Sequence, residues 1–285
     1  MTGKPYAEVI GDPIAHSKSP TIHNFWLGKL GIDAEYRACH VKPDKLADYF
    51  ASRNVDDHWR GCNVTMPHKQ TVMPLMDELS PVAERIGAVN TVIMRDYYMI
   101  GDNTDGVGFM EPLRQFLSSQ TYRFASLVGA GGAARAIADA LASESFTLIS
   151  YSRNPAKADE EIGRYIWDKD LLLPLSNLFK PCKSDEVIEA DADRFDLLIN
   201  ASPLGMIGHD PLDIDLGWLP RASVVYDIVT TPVETDLLRR ARAKGLSTID
   251  GLAMLIGQAA KAFEKFFGEL PPREHDAELR RLLTQ

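Results

Sequence analysis

Leu127-Val128-Gly129-Ala130-Gly131-Gly132-Ala133-Ala134-Arg135 is the stretch that decides how this chain folds. The apolar run Phe124–Val128 leads into it, a helical pattern rich in alanine follows, and Phe146–Ser152 returns to an apolar run. The order strand, glycine turn, helix, strand opens a parallel α/β sheet of the Rossmann type. Gly129 permits the tight turn, Gly131 lets the backbone approach a pyrophosphate, and Ala134 fills the small position where helix meets strand. The free N–H groups of the helix's first turn then face phosphate. Glycines alone also suit a helix packed closely on its strand; the flanking strands favour the dinucleotide reading.

Working outward, the next strand ends in Ser152-Arg153-Asn154-Pro155-Ala156-Lys157. An NAD site usually carries an acid here to hold the ribose hydroxyls. Arg153 and Lys157 instead suit a 2′-phosphate, with Ser152 and Asn154 adding hydrogen bonds, so NADP is the expected cofactor. The same residues also read as a helix start, Asn154 capping and Pro155 in the first position, and both readings can hold together. Asp196–Ser202 and Ser223–Val229 read as further buried strands, and Leu246–Asp250 as another.

Upstream, short apolar runs alternate with helical patterns from Ala7 to Gly101 and form a separate α/β unit. A helical segment runs from Gly106 to Ser119, and after Gly251 a long helix and a final amphipathic one, His275–Gln285, end the chain. The expected organisation is α/β with a first domain over 1-105 completed by helices over 250-285, and a Rossmann-like domain over 106-249. With 285 residues and 45% hydrophobic content, two domains are the natural division.

A formal charge of −9 argues against a nucleic-acid or anionic-membrane binder, which needs clustered cations. Cys39, Cys62 and Cys182 are far apart and odd in number, so neither a disulfide framework nor a zinc site is expected, and a reducing, cytoplasmic location fits. The opening Met1–Gly11 lacks a signal-peptide apolar region, and no apolar run approaches a membrane span.

Several polar residues stand where chemistry can occur. Ser17 and Ser19, before a helix, can hold a carboxylate or simply start that helix. Lys69 in Asn63-Val64-Thr65-Met66-Pro67-His68-Lys69 follows a strand where the chain is expected to turn into a helix. It reads as a surface charge or, if desolvated, as a group that exchanges a proton with an alcohol oxygen. Asp105 in Gly101-Asp102-Asn103-Thr104-Asp105-Gly106 reads as a helix cap or as Lys69's orienting partner. Asn90, in an apolar run, and Gln258, among Met254, Leu255, Ile256, Ala259 and Ala260, need partners if buried.

Taken in order, Gly11–Pro20, Asn63–Lys69, Gly87–Thr91, Gly101–Gly106, Gly129–Arg135 and Asp250–Ala259 resemble the shikimate dehydrogenase family, over nearly the whole chain. The resemblance implies an N-terminal substrate domain joined by the C-terminal helices, a central NADP domain, a cleft between them, and reversible reduction of 3-dehydroshikimate to shikimate. It implies that Lys69 and Asp105 are the catalytic pair, that Ser17 and Ser19 bind the substrate carboxylate, and that Thr65, Asn90 and Gln258 contact ring hydroxyls or the reacting oxygen. Gly129, Ala130, Gly131, Gly132 and Ala133 match the pyrophosphate turn, and Ser152, Arg153 and Lys157 the adenosine-phosphate segment. Ala201, Ser202, Ile228 and Gly251 match positions near the rest of the cofactor.

The chain departs from the family at Thr230, where a substrate-touching tyrosine is usual, at Ala253 and at Ser152. Quinate, an aminoshikimate or another cyclohexane polyol carboxylate is the alternative substrate, and a non-catalytic NADP-binding regulator the alternative of another class. A monomer or homodimer without metal, nucleic-acid or membrane partner is expected.

Overall fold

A computed structural model describes residues 3–117, 122–168, 171–178 and 194–285; Cys182 lies outside them, as do Ser118 and Ser119 at the end of one expected helix. The chain forms two compact units, Met1–Gly108 with Ile256–Gln285, and Phe109–Leu255. These divisions fall inside helices, near the expected 105/106 and 249/250.

The first unit is built from β1 (Tyr6–Gly11), α1 (Ser19–Leu30), β2 (Glu35–His40), α2 (Leu46–Arg53), β3 (Trp59–Val64), β4 (Glu78–Leu79), α3 (Pro81–Ile86), β5 (Thr91–Arg95) and β6 (Tyr98–Asp102). α4 (Asp105–Leu113) follows. The sheet order is β2-β1-β3-β5-β6-β4, parallel through β2, β1 and β3 and antiparallel across β5 and β6. β5 and β6 form a hairpin turned at Asp96 and Tyr97, whose φ values of 50° and 67° match the left-handed conformation of a two-residue turn.

β1 is buried along its whole length. Its Glu8 is tolerated there because Arg37 and Arg53 donate at 3.1 and 2.8 Å and the Tyr49 hydroxyl at 2.8 Å.

The second unit carries β7 (Tyr122–Val128), α5 (Gly132–Ser143), β8 (Thr147–Ser152), α6 (Pro155–Ile162), β9 (Leu172–Pro174), α7 (Leu175–Leu178), β10 (Arg194–Asn200), β11 (Val224–Asp227), α8 (Asp236–Ala243) and β12 (Ser247–Ile249). Its sheet order is β12-β11-β10-β7-β8-β9, parallel throughout. Progress outward from β7 to β9 and then back to β10 on the other side is the doubly wound order, with the switch between β7 and β10. Ligands of such sheets gather beyond the strand ends at that switch.

α9 (Gly251–Phe267) follows β12, and α10 (Asp276–Leu283) ends the fold. Leu252, Ile256, Ala259, Phe263 and Phe266 form the buried stripe of α9 at helical spacing. Its later turns complete the first unit: Ala262 and Phe266 pack with Ala7, Val9, Ile14 and Tyr36. The Phe263 ring meets Trp26 edge-on at 5.5 Å between centroids. α10 is tied to α1 by Lys29 and Glu278 at 2.8 Å, and Lys18 donates to the Leu283 carbonyl at 2.6 Å. Among the described residues no helix is long and apolar enough to cross a membrane.

Candidate functional site

The register of the first sheet collects the candidate residues. β1 and β3 are parallel neighbours, so the segments after Gly11 and Val64 leave the same end of the sheet. Thr91, the first residue of β5, pairs with Asn63 on one side and with Asp102, the last residue of β6, on the other. The Ser17 and Ser19 segment, Thr65 to Lys69, Asn90 and Asp105 therefore all start from one edge.

The expectation of a helix after Lys69 is corrected: residues 66–72 form turns and only a single 3-10 turn, Met73–Leu75, follows. Pro67 and Pro74 lack the N–H groups a continuing helix needs. The turn is held instead by backbone bonds from Thr65 N to Ile10 O at 2.9 Å and from Val89 N to Lys69 O at 2.7 Å. The His68 ring is buried, with Nε2 at 2.6 Å from the Val41 carbonyl.

Lys69 Nζ forms an ion pair with Asp105 Oδ2. Asn90 Nδ2 donates to Asp105 Oδ1 at 2.7 Å and to Thr104 Oγ1 at 3.0 Å. Asn90 Oδ1 accepts from Thr104 N and from the Thr91 hydroxyl, both at 2.8 Å. Asn103 Oδ1 fixes the Asp105 N–H at 3.0 Å, and Thr104 Oγ1 lies 3.5 Å from Gln258 Oε1. Lys69, Asn90, Asp105 and Gln258 thus form one connected polar cluster, mostly buried. Asp105 is the first residue of α4, and its carboxylate is engaged by Lys69 and Asn90.

Burial pushes the nearby Asp102 carboxyl up, and hydrogen bonds from Lys265, Ser80 and the Asn103 N–H outweigh it, holding it below its usual range. Asp102 thereby secures the segment that presents Asp105. Thr91, Thr104 and Asp102 were not singled out by sequence; a polar residue at a buried position of a sheet edge is the signal they carried.

Ser19 is buried and Ser17 half-buried. Neither caps α1, whose N-cap is Lys18 without a side-chain bond; Ser17 Oγ accepts from Ser19 N at 3.3 Å. Thr65 and Thr230 are half-buried, and Thr230 lies in the second unit, after β11.

In the second unit the glycine turn takes its predicted form. Gly129 has φ +105°, and a Cβ there would stand 2.8 Å from the Ala201 carbonyl oxygen. Ala130 follows it, and Gly131 is the N-cap of α5, which has no side-chain cap and no acid in its first turn of Gly132, Ala133 and Ala134. A Cβ on Gly131 would meet nothing within 4 Å. The chain's own packing therefore does not demand glycine there, and the backbone at Gly131 is open to an external group. At the end of β8, Ser152 is buried with its Oγ unpartnered. Arg153 and Lys157 are exposed beside it, and Asn154 caps α6 by accepting from Lys157 N at 3.2 Å. These residues fit an NADP-type dinucleotide.

Ala201 N donates to Val128 O at 2.8 Å, Ile228 N to Asn200 O at 3.1 Å, and a Cβ on Gly251 would lie 2.4 Å from the Ile228 carbonyl oxygen. The strand ends are joined by Asp227, which sequence did not single out. It accepts from Asn200 Nδ2 at 3.0 Å, Val229 N at 3.1 Å and Thr235 Oγ1 at 2.7 Å, while Asn200 Oδ1 accepts from Ser202 N and Oγ. Burial pushes the Asp227 carboxyl up to about 6 against these three donors. Among the described residues no group of three or more His, Cys, Asp or Glu is placed to hold a metal ion.

Comparison with known proteins identifies the family. Residues 9–92 match the shikimate dehydrogenase substrate binding domain and residues 251–278 the shikimate 5'-dehydrogenase C-terminal domain. The chain is 48% identical to the shikimate dehydrogenase (NADP(+)) of Sphingopyxis alaskensis, across 98% of this chain and 97% of that one. The shikimate 5-dehydrogenase of Thermus thermophilus, solved with NADP(H) and shikimate, is 32% identical with a TM-score of 0.78, covering 98% of this chain and 99% of that one. The quinate dehydrogenase of Corynebacterium glutamicum, solved with NAD, is 28% identical with a TM-score of 0.81, covering 98% and 99%. With this much identity over nearly its full length, the chain belongs to the shikimate dehydrogenase family.

Proposed function

We propose that this protein is an NADP-dependent oxidoreductase that interconverts 3-dehydroshikimate and shikimate. The reading rests on the Lys69–Asp105–Asn90 cluster in a chain of this family. The Met1–Gly108 and Ile256–Gln285 unit takes the substrate, and the Phe109–Leu255 unit the cofactor.

The hydrogen bonds assign the roles. Thr104 N–H can only donate, so Asn90 Oδ1 must face it and Asn90 Nδ2 must face Asp105. Asp105 accepts from both sides, Lys69 on Oδ2 and Asn90 on Oδ1. Lys69 spends one donor on Asp105 and keeps others for a substrate oxygen. In reduction, the Lys69 ammonium protonates the carbonyl oxygen as hydride reaches the carbon, and then recovers a proton from water; oxidation is the reverse. NADPH, when bound, supplies the hydride.

Ser17 and Ser19 hold the substrate carboxylate, and Thr65, Asn90 and Gln258 contact its hydroxyls. Gly129 to Ala133 and the first turn of α5 receive the pyrophosphate. Ser152, Arg153 and Lys157 receive the 2′-phosphate, with Ala201, Ser202, Ile228 and Gly251 beside the remainder. The open face of Gly131 and the exposed Arg153 and Lys157 after the end of β8 support this placement. A reducing, cytosolic setting belongs to the same reading, supported by free thiols at Cys39 and Cys62.

The test is the absorbance change of NADP or NAD on incubation with shikimate or quinate. Shikimate with NADP is expected to be turned over fastest, and a chelator to change nothing. Absence of shikimate turnover, or faster turnover of quinate, refutes the proposal.

A further inference from the structure

The Lys69–Asp105 pair is the end of a longer buried path. We infer that Tyr36, Asn63 and Thr91 are positioning residues for Asp105, acting through a one-way chain of hydrogen bonds that ends on its Oδ1. The inference rests on the role given above to Lys69 and Asp105.

Backbone groups fix the direction of each link. Asn63 Nδ2 lies 3.3 Å from the Asn90 carbonyl, which can only accept, so this end of the Asn63 amide is the donor. Its other donated bond goes to Thr91 Oγ1 at 3.1 Å. Asn63 Oδ1 then faces the Tyr36 hydroxyl, which donates to it at 2.6 Å. Thr91, already receiving from Asn63, gives its own proton to Asn90 Oδ1 at 2.8 Å. Asn90 Nδ2 completes the path to Asp105.

The far end is rigid. Tyr36 is stacked on His23 at 3.9 Å with the rings nearly parallel, and Asn24 bonds both its N–H and its carbonyl, at 2.9 and 2.6 Å. Tyr36, Asn63, Thr91, Asn90 and Asp105 are all buried. Reversing one amide at these buried positions sets donor against donor, so the chain has one low-energy arrangement. Every link therefore presents Asp105 as an acceptor in a fixed orientation to Lys69.

Thr91→Val deletes the central hydroxyl at nearly constant shape, and Thr91→Ser restores it. Two readouts separate positioning from general loosening. The first is the rate at which a small acetylating reagent modifies Lys69, followed by peptide mass spectrometry; it needs no substrate. T91V is expected to react several-fold faster than the native protein and T91S to match the native protein. The second is kcat for shikimate oxidation, expected to fall about tenfold in T91V from displacement of the reacting groups and to recover in T91S, with KM for NADP unchanged.

Tyr36→Phe removes a single oxygen and carries the same test should T91V fail to fold. Native Lys69 reactivity in the folded hydroxyl-deleted variant, or a T91S protein that behaves like T91V, overturns the inference. Altered Lys69 reactivity in a protein whose native form does not oxidise shikimate supports the positioning path and overturns the functional reading alone.

Discussion

Replacing Lys69 by methionine separates two contributions of one side chain. Its side chain is 17% exposed and that of Asp105 7%, so the pair is largely removed from water. Removing the cation leaves the Asp105 carboxylate with Asn90 Nδ2 as its side-chain donor. Breaking such a pair from one side costs about 3 kcal/mol, a loss that a domain of ordinary stability survives. Loss of a general acid–base group lowers kcat by roughly 10²–10⁴, or about 3–5 kcal/mol of barrier. K69M is therefore expected to melt earlier and to lose at least about a hundredfold in shikimate turnover. Its NADP affinity is expected to be native, since the glycine turn belongs to the other unit. Adding Asp105→Asn removes the stranded charge and is expected to recover melting temperature but no rate. Initial rates, cofactor titration and thermal melts of the variants measure all three quantities. A K69M protein within tenfold of native kcat, or a double variant that regains activity, refutes the assignment of proton exchange to Lys69.

The two turn glycines are expected to respond differently. Gly131→Ala meets nothing within 4 Å and keeps the native melting temperature, while NADP affinity falls; Gly129→Ala is strained at φ +105° and against the Ala201 carbonyl, and loses stability itself. Equal melting losses in both would refute a ligand-driven role for Gly131. Arg153→Ala is expected to raise KM for NADP about 10- to 100-fold, the loss of a charge-assisted bond, and to leave KM for NAD nearly unchanged. Parallel changes with both cofactors would remove Arg153 from the phosphate site. At Asp227 the folded protein holds its proton up to about 6 and the unfolded chain only to its ordinary 3.8. Stability should therefore fall as pH rises through this interval, by at most about 3 kcal/mol, and D227N should lack that contribution. Native and D227N melting curves that run parallel between pH 4 and 7 would show that burial does not hold the proton there.

The glycine turn was readable because its chemistry is local: Gly129 needs its left-handed backbone, and the strands beside it are adjacent in the chain. The placement of β10 beside β7 was not spelled out, because it depends on which buried strand pairs with which. Lys69 and Asp105 each had an ordinary local explanation, as surface charge and helix cap. Only the family's motifs paired them, and the physical cause is the register that sets Thr91 between Asn63 and Asp102. Asn63, Thr91 and Asp227 gave no local signal beyond a polar side chain in an apolar strand, and the bonds that give them meaning come from residues distant in the chain. The lysine turn resembles a helix start in following a strand, and Pro67 and Pro74 are the local signals against one. Nothing in the structure explains threonine at 230.

The division of the first unit between the two ends of the chain has a consequence during synthesis. Residues 109–255 form a continuous segment and can fold as soon as they clear the ribosome. Residues 1–108 emerge earlier, yet Trp26, Tyr36 and the β1 face lack their partners Ala262, Phe263 and Phe266 until the last helices are made. At roughly 5–20 residues per second, that wait is on the order of ten to fifty seconds. Over this period the first-made part of the protein is its last to be finished, and its aromatic surface stands open to chaperones or to neighbouring nascent chains.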